Sequence, residues 1–203
     1  MPRMNAEEKF LPRLLIGLLP ATLALALMLV FAALHWPAWT HSFSSDFSPA
    51  AWLSGAQLLA ATLLAARLGV EGTLRPAFAV ALTLGLLALA LDEQFMLHEH
   101  WKYGCVDWWR ACASAAVREL PTLLVGALGS VFLLMLCRQF AGAARWLVVA
   151  SLGVGLAALA VDLLQPAGLA GLLEEAIEVL AEALFLGALL IARPVSRAQV
   201  HSP

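Results

Sequence analysis

Residues 75–97 read RPAFAVALTLGLLALALDEQFML. From Pro76 to Leu91 no residue is charged; then Asp92 and Glu93 arrive together. A helix needs about 20 predominantly apolar residues to cross a hydrocarbon core of roughly 30 Å. A membrane strand would instead alternate in polarity over about 10 residues. Leu and Ala, both strong helix formers, fill the stretch. It reads as a membrane helix whose final turn becomes acidic.

Five further stretches share this character, near Leu14–Leu34, Ala50–Leu68, Pro121–Leu136, Ala144–Leu164 and Leu169–Ala192, beside Arg75–Leu97 itself. The sequence therefore predicts an all-α integral membrane bundle of six transmembrane helices, a single domain over residues 1–203. The chain is 62% hydrophobic and 13% charged, against about 45–50% and about 25% for soluble domains. Its mean hydropathy is +0.86. These values exclude a soluble globular domain and a disordered chain. Twelve basic and fourteen acidic residues give a net charge of −2, so nucleic acid is not an expected partner; the lipid bilayer is. Lys9 and Arg13 precede the first stretch as in a signal peptide. Its apolar run exceeds the usual h-region of about 7–15 residues, so a retained helix is expected.

Lys and Arg favour the cytoplasmic side. Arg3, Lys9, Arg13, Arg67, Arg75, Arg138, Arg145, Arg193 and Arg197 fall on one side of alternating spans, and only Lys102, Arg110 and Arg118 on the other. Both termini are expected in the cytoplasm of a bacterial-type inner membrane. Eleven of the fourteen acids take the outer side. Acids contribute little to orientation, so this bias requires another cause.

The third connection, His98 to Leu120, holds Cys105 and Cys112. Facing an oxidising compartment, they would form a disulfide if the chain bends near Gly104; on a regular short amphipathic helix they would stay as two thiols. Cys137 reads as a free, buried thiol near the inner face. Trp36, Trp39, Trp52, Trp101, Trp108 and Trp109 map to the outer boundary, as ordinary interfacial anchors. Ser151 and Gly155, at helical spacing, read as a close packing face.

The residues that can carry chemistry end the third and fifth spans and begin the sixth, in LALALDEQFMLHEHW, LAVDLLQP and LAGLLEEAIEVLAEALF. Alternating directions bring these ends to one level. At about 100° per residue, Asp92, Glu93, Glu99 and His100 share an arc of roughly 120°, with His98 apart. Glu174, Glu175, Glu178 and Glu182 likewise share one face. Such a stripe points into a protein interior or a water-filled cavity rather than into lipid. Glu182 lies about 18 Å down the axis from the fifth connection. No Lys or Arg stands in the outer half of these helices, so the carboxylates must bind a cation or share protons. Asp162 and Gln165 are weaker members. Gln57 is a supporting hydrogen-bond donor or interhelical glue, and His35 and His41 are left aside as interfacial.

Carboxylates with His suit a divalent metal such as Fe, Mn or Zn. The expected ligand set is Asp92, Glu93, His98, Glu99, His100, Asp162, Glu174, Glu175, Glu178 and Glu182. Neither the Glu-x-x-His pair of ferritin-like bundles nor H-E-x-x-H occurs. An acidic vestibule, or a face binding another subunit, is the bland alternative.

With Asp92-Glu93-x4-His98-Glu99 and Glu174-Glu175-x-x-Glu178, the chain resembles a group of uncharacterised bacterial multi-pass membrane proteins. These carry DE-x4-HE at the end of one span and EE-x-x-E at the start of the last, often with Glu where this chain has Asp162. The resemblance implies that these residues act as one unit and raises His98 as a site residue; it implies no activity. Three functions compete at this stage: a metalloenzyme acting on an apolar substrate, a proton or divalent-cation transporter, and a structural or assembly subunit with a membrane-protein partner or a second copy of itself. No Ser-His-Asp set or nucleophilic Cys supports metal-free catalysis.

Overall fold

The computed structural model describes residues 6–43, 48–164 and 169–193, and these hold helices and turns but no strand. Helix α1 spans Ala6–Leu34, α2 Pro49–Val70, α3 Pro76–Phe95 and α4 Leu97–Gly104. After short turns come α5, Ala115–Arg118, α6, Leu120–Gln139, α7, Gly142–Leu164, and α8, Leu169–Ile191.

Local chemistry sets the boundaries. Ser48 caps α2, its Oγ accepting the Ala51 N–H at 3.0 Å, and Pro49 follows where a missing N–H costs nothing. Gly72, at φ 72°, turns the chain from α2 into α3, and Pro76 opens α3. The third span stops at Phe95, two residues short of the expected Leu97. Met96 adopts φ 50° and ψ 44°, a left-handed conformation that costs an L-residue roughly 1–2 kcal/mol. This kink resets the helical phase for everything after it.

Among the described residues, five helices are long and apolar enough to cross a membrane: Phe10–Leu34 within α1, then α2, α3, α6 and α7. By length and composition they mark a multi-pass membrane protein. The sixth expected span coincides with α8, which matches the others in length but carries Glu174, Glu175, Glu178 and Glu182. Leu29, Leu63, Val80 and Leu128 are all at least 60% exposed on the bundle's flanks, a surface suited to lipid.

Helix α8 packs against α7, α2 and α1. Its Val179, Ala183, Ala188 and Leu189 are fully buried. A Cβ on Gly187 would collide with the Gly17 carbonyl, so α1 and α8 touch backbone to backbone. The Ser151 hydroxyl donates to the Ala181 carbonyl at 2.8 Å, and Gly155 lies against Ala181; the expected packing face is used. Helix α6 leans on α7, with Gly126 against Leu159. It meets α3 near the basic end of the bundle, where the Phe78 and Phe132 rings pack at a tilt of 35° with centroids 5.4 Å apart and the Arg75 N–H donates to Gln139 Oε1 at 3.2 Å.

The connection from α4 to α6 is a tied cap rather than one amphipathic helix. Two 3-10 turns, Cys105–Asp107 and Arg110–Ala113, fold the chain back. Cys105 and Cys112 are disulfide-bonded, their Cα atoms 5.9 Å apart. Trp101 packs edge-on against Trp108 and Trp109, at 5.3 and 6.0 Å, and donates to the Val117 carbonyl. Cys137 is unbridged.

Candidate functional site: an acidic cavity at one end of the bundle

A cavity of about 610 Å³ opens among α2, α3, α4, α6, α7 and α8. Asp92 and Glu93 come to it from α3, Glu99 from α4, Asp162 from α7, and Glu174, Glu175, Glu178 and Glu182 from α8. His98 and Lys102 of α4 complete its charged wall, and Leu58, Leu89, Val125 and Leu159 form apolar surface. Nine of the ten residues singled out from the sequence thus share one space.

The tenth is His100. The wheel placed it beside Asp92 by carrying the third helix through unbroken. The Met96 kink cancels that phase, so His100 is exposed and its Nδ1 lies 2.8 Å from the Met96 carbonyl. The same kink brings His98 back over the end of α3. Its backbone N–H donates to Asp92 Oδ1 at 2.9 Å, and its Nδ1 lies 2.9 Å from Asp92 Oδ2. The hydrogen bond to Asp92 outweighs burial, and the Asp92, Glu99 and Glu93 charges reinforce it, so the imidazole pKa is pushed up to about 9.

Lys102 corrects the expectation that no cation would stand among these acids. It is buried, one turn beyond His98 on α4. Its Nζ donates to Asp162 Oδ1 at 2.7 Å and pairs with Glu119 Oε2 at 3.2 Å. Burial opposes the charge, but the hydrogen bonds and charges of Asp162 and Glu119 hold the pKa above the ordinary lysine range. The four-residue spacing of His98 and Lys102 was legible, given a helix starting after Met96.

Ser54 was also missed. It is buried on α2 and donates to Glu182 Oε1 at 2.8 Å, within reach of Glu93 as well. The other Glu182 oxygen is enclosed without a hydrogen-bond partner in the structure. Ala50, Ser54, Gln57, Ala61 and Ala65, all buried, recur at helical spacing on α2, the signal that could have placed Ser54 inside. Gln57 is buried, its Oε1 without a partner, but does not line the cavity. His35 bonds locally to Phe31 and Ser42. The His41 side chain and Gln165 lie outside the described residues.

Among the described residues, no three His, Cys, Asp or Glu side chains already surround a common point as metal ligands do. Several donors are engaged elsewhere, Asp92 with His98 and Asp162 with Lys102. A cation would have to draw the glutamate side chains of α8 and α3 together.

No curated protein and no solved structure matches the chain. Residues 14–192 match the family model described as "Domain of unknown function (DUF8692)", and the chain belongs to that family.

Proposed function

We propose that this is a six-helix inner-membrane protein of bacterial type, with both termini cytoplasmic, whose outward-facing cavity binds a divalent cation of the Fe, Mn or Zn class. One observation carries the reading: among the described residues, eight carboxylates from four helices line one cavity whose basic groups are Lys102 and His98. Two carboxylates about 6 Å apart repel by roughly 3 kcal/mol at an effective dielectric of about 20. A divalent cation would offset such repulsion between the acids it draws together.

The His98–Asp92 contact has the form that supports a metal ligand. A carboxylate holding one ring nitrogen fixes the imidazole and leaves the other nitrogen to coordinate. Binding would displace the proton that His98 otherwise keeps. Glu93, Glu175, Glu178 and Glu182 would supply oxygen ligands, with Ser54 orienting Glu182. A bound metal would supply Lewis acidity or an activated water there.

The cavity also supports α8 as the sixth span. Its apolar faces are buried on α1, α2 and α7 while its four acids line the cavity, where an intramembrane carboxylate is tolerated. Below Glu182 the interior is filled by residues such as Ala24, Ala61, Leu82, Val148 and Ala188. That filling favours a site closed at its inner end over a transport path.

Elemental analysis of the purified protein tests the reading. The expected result is at least one equivalent of a divalent transition metal, greatly reduced in Glu178→Gln. No metal in either protein, and none taken up from solution, would overturn it.

A further inference from the structure

At the ends of α6 and α7 opposite the acidic cavity, the two helices meet in an open hollow of about 590 Å³. Leu134, Cys137 and Arg138 come to it from α6, Gly142 and Arg145 from α7, with Phe140 between. Both helices are long and apolar enough to span a membrane, and Phe140 and Ala141 alone join them. So short a turn between two spans lies at a membrane face. Arg138 stands about 1.5 Å along the axis from the end of α6, and Arg145 about 4.5 Å from the start of α7. Both residues therefore fall at the level of the headgroup layer, roughly 5–7 Å thick on each side of the hydrocarbon core. Exposed apolar residues continue from each arginine along the same helix face, Leu134 and Val131 behind Arg138 and Val149 behind Arg145. That is the order of a phospholipid, with its phosphate at the surface and its chains beneath.

We infer that this hollow binds an anionic phospholipid, its phosphate between Arg138 and Arg145 and its chains along α6 and α7. Charge selects the headgroup. Among the described residues, Glu71 is held by Arg67 at 2.6 Å, and no carboxylate pairs with Arg138 or Arg145. Nor does any described acid line the hollow, so the ammonium of a zwitterionic headgroup would meet two positive charges and no partner. Guanidinium groups offer paired N–H donors that fit phosphate oxygens. The first-turn amides of α7, which have no acceptor within their own helix, add positive potential on the same side. Gly142, at φ 58°, leaves that side open, since nothing stands within 4 Å of where a Cβ would be. The site uses neither the acidic cavity nor a bound cation, so its failure would leave the metal reading untouched.

The test uses the full chain in detergent micelles and native mass spectrometry, with phosphatidylglycerol and phosphatidylethanolamine of identical chains. Phosphatidylglycerol should be retained at least tenfold more than phosphatidylethanolamine. Arg138→Gln and Arg145→Gln should each reduce that retention about fivefold, the loss expected for one basic residue near an anionic surface. The double variant should lose the preference altogether, and because both arginines are exposed it should unfold at the parent's midpoint. Arg110→Gln, at the other end of the bundle, should change nothing. A second measurement needs no variant. Cys137 is half-buried in the hollow and, with Cys105 and Cys112 bonded, is the single thiol among three cysteines. Phosphatidylglycerol should slow its alkylation at least fivefold, and phosphatidylethanolamine and inorganic phosphate much less. Equal retention of the two lipids, or retention unchanged in the double variant, overturns the proposal. So does equal protection of Cys137 by inorganic phosphate, which would mark a site for the free ion.

Discussion

Replacing Lys102 by Met should destabilise the protein by about 2–3 kcal/mol, and the origin of that figure is open to test. Lys102 is 8% exposed, and its ammonium joins three elements: α4, the start of α6 through Glu119, and the end of α7 through Asp162. Removing one partner of a buried ion pair costs about 3–5 kcal/mol, because the other charge is left desolvated. Here the carboxylate side chains keep 17% (Asp162) and 15% (Glu119) of their exposure, and the cavity admits water, so the lower figure applies. Methionine retains most of the aliphatic volume, which confines the loss to electrostatics. Equilibrium unfolding in mixed micelles, followed by tryptophan fluorescence, gives the difference. The raised lysine pKa means that this stability is present in full below pH 10.5 and is lost only as pH rises through the folded value. The penalty should thus be the same at pH 7 and pH 9. Adding Asp162→Leu should restore part of it, with a coupling of about 1–2 kcal/mol. A single-variant penalty below about 0.5 kcal/mol, or no coupling, would refute the buried pairing.

Three other outcomes follow from particular contacts. Gly187→Leu should cost about 2 kcal/mol or more by forcing α8 away from Gly17, read as a fall in unfolding midpoint; an unchanged midpoint would remove the α1–α8 crossing. Thiol labelling without reductant should leave Cys105 and Cys112 unmodified, and Cys105→Ser should loosen the cap by about 2 kcal/mol, seen as faster proteolysis between residues 105 and 118. In chelator-treated protein, nitrogen-15 NMR should find His98 titrating near pH 9 and Asp92→Asn moving it toward 6.5. The stability this shift supplies is complete below pH 6.5 and lost as pH rises through about 9. A shift from 6.5 to about 9 is worth about 3 kcal/mol if unscreened. With the His98 side chain 38% exposed, about 1–2 kcal/mol is expected.

The helices were legible because lipid imposes a crude rule, a long apolar run, and Leu, Ala and Val satisfy it in five of them without exception. Helix α8 breaks the rule locally, and its role depends on neighbours the sequence does not display. The acidic convergence was legible as well, since alternating span direction fixes which helix ends meet. What failed was phase. A single left-handed residue, Met96, exchanged His98 for His100, and nothing in Phe95-Met96-Leu97 signals that turn, which glycine or asparagine would ordinarily occupy. Lys102 was counted by its loop and not by its face. Its place follows from α4 restarting after Met96, one turn beyond His98, where Glu119 and Asp162 meet it. Ser54 looked like one small residue among many on α2; only the depth of Glu182 on the facing helix gives it a partner.

If the acids of α3 and α8 together hold a divalent cation, the purified protein binds one directly. Titration of the chelator-treated protein with Mn²⁺, following the six-line resonance of the free ion, tests it most directly. The first equivalent should lose its free-ion signal at micromolar protein, and Glu93→Gln and Glu178→Gln should each weaken binding at least tenfold. A free-ion signal that rises from the first addition, identically in parent and variants, would contradict it.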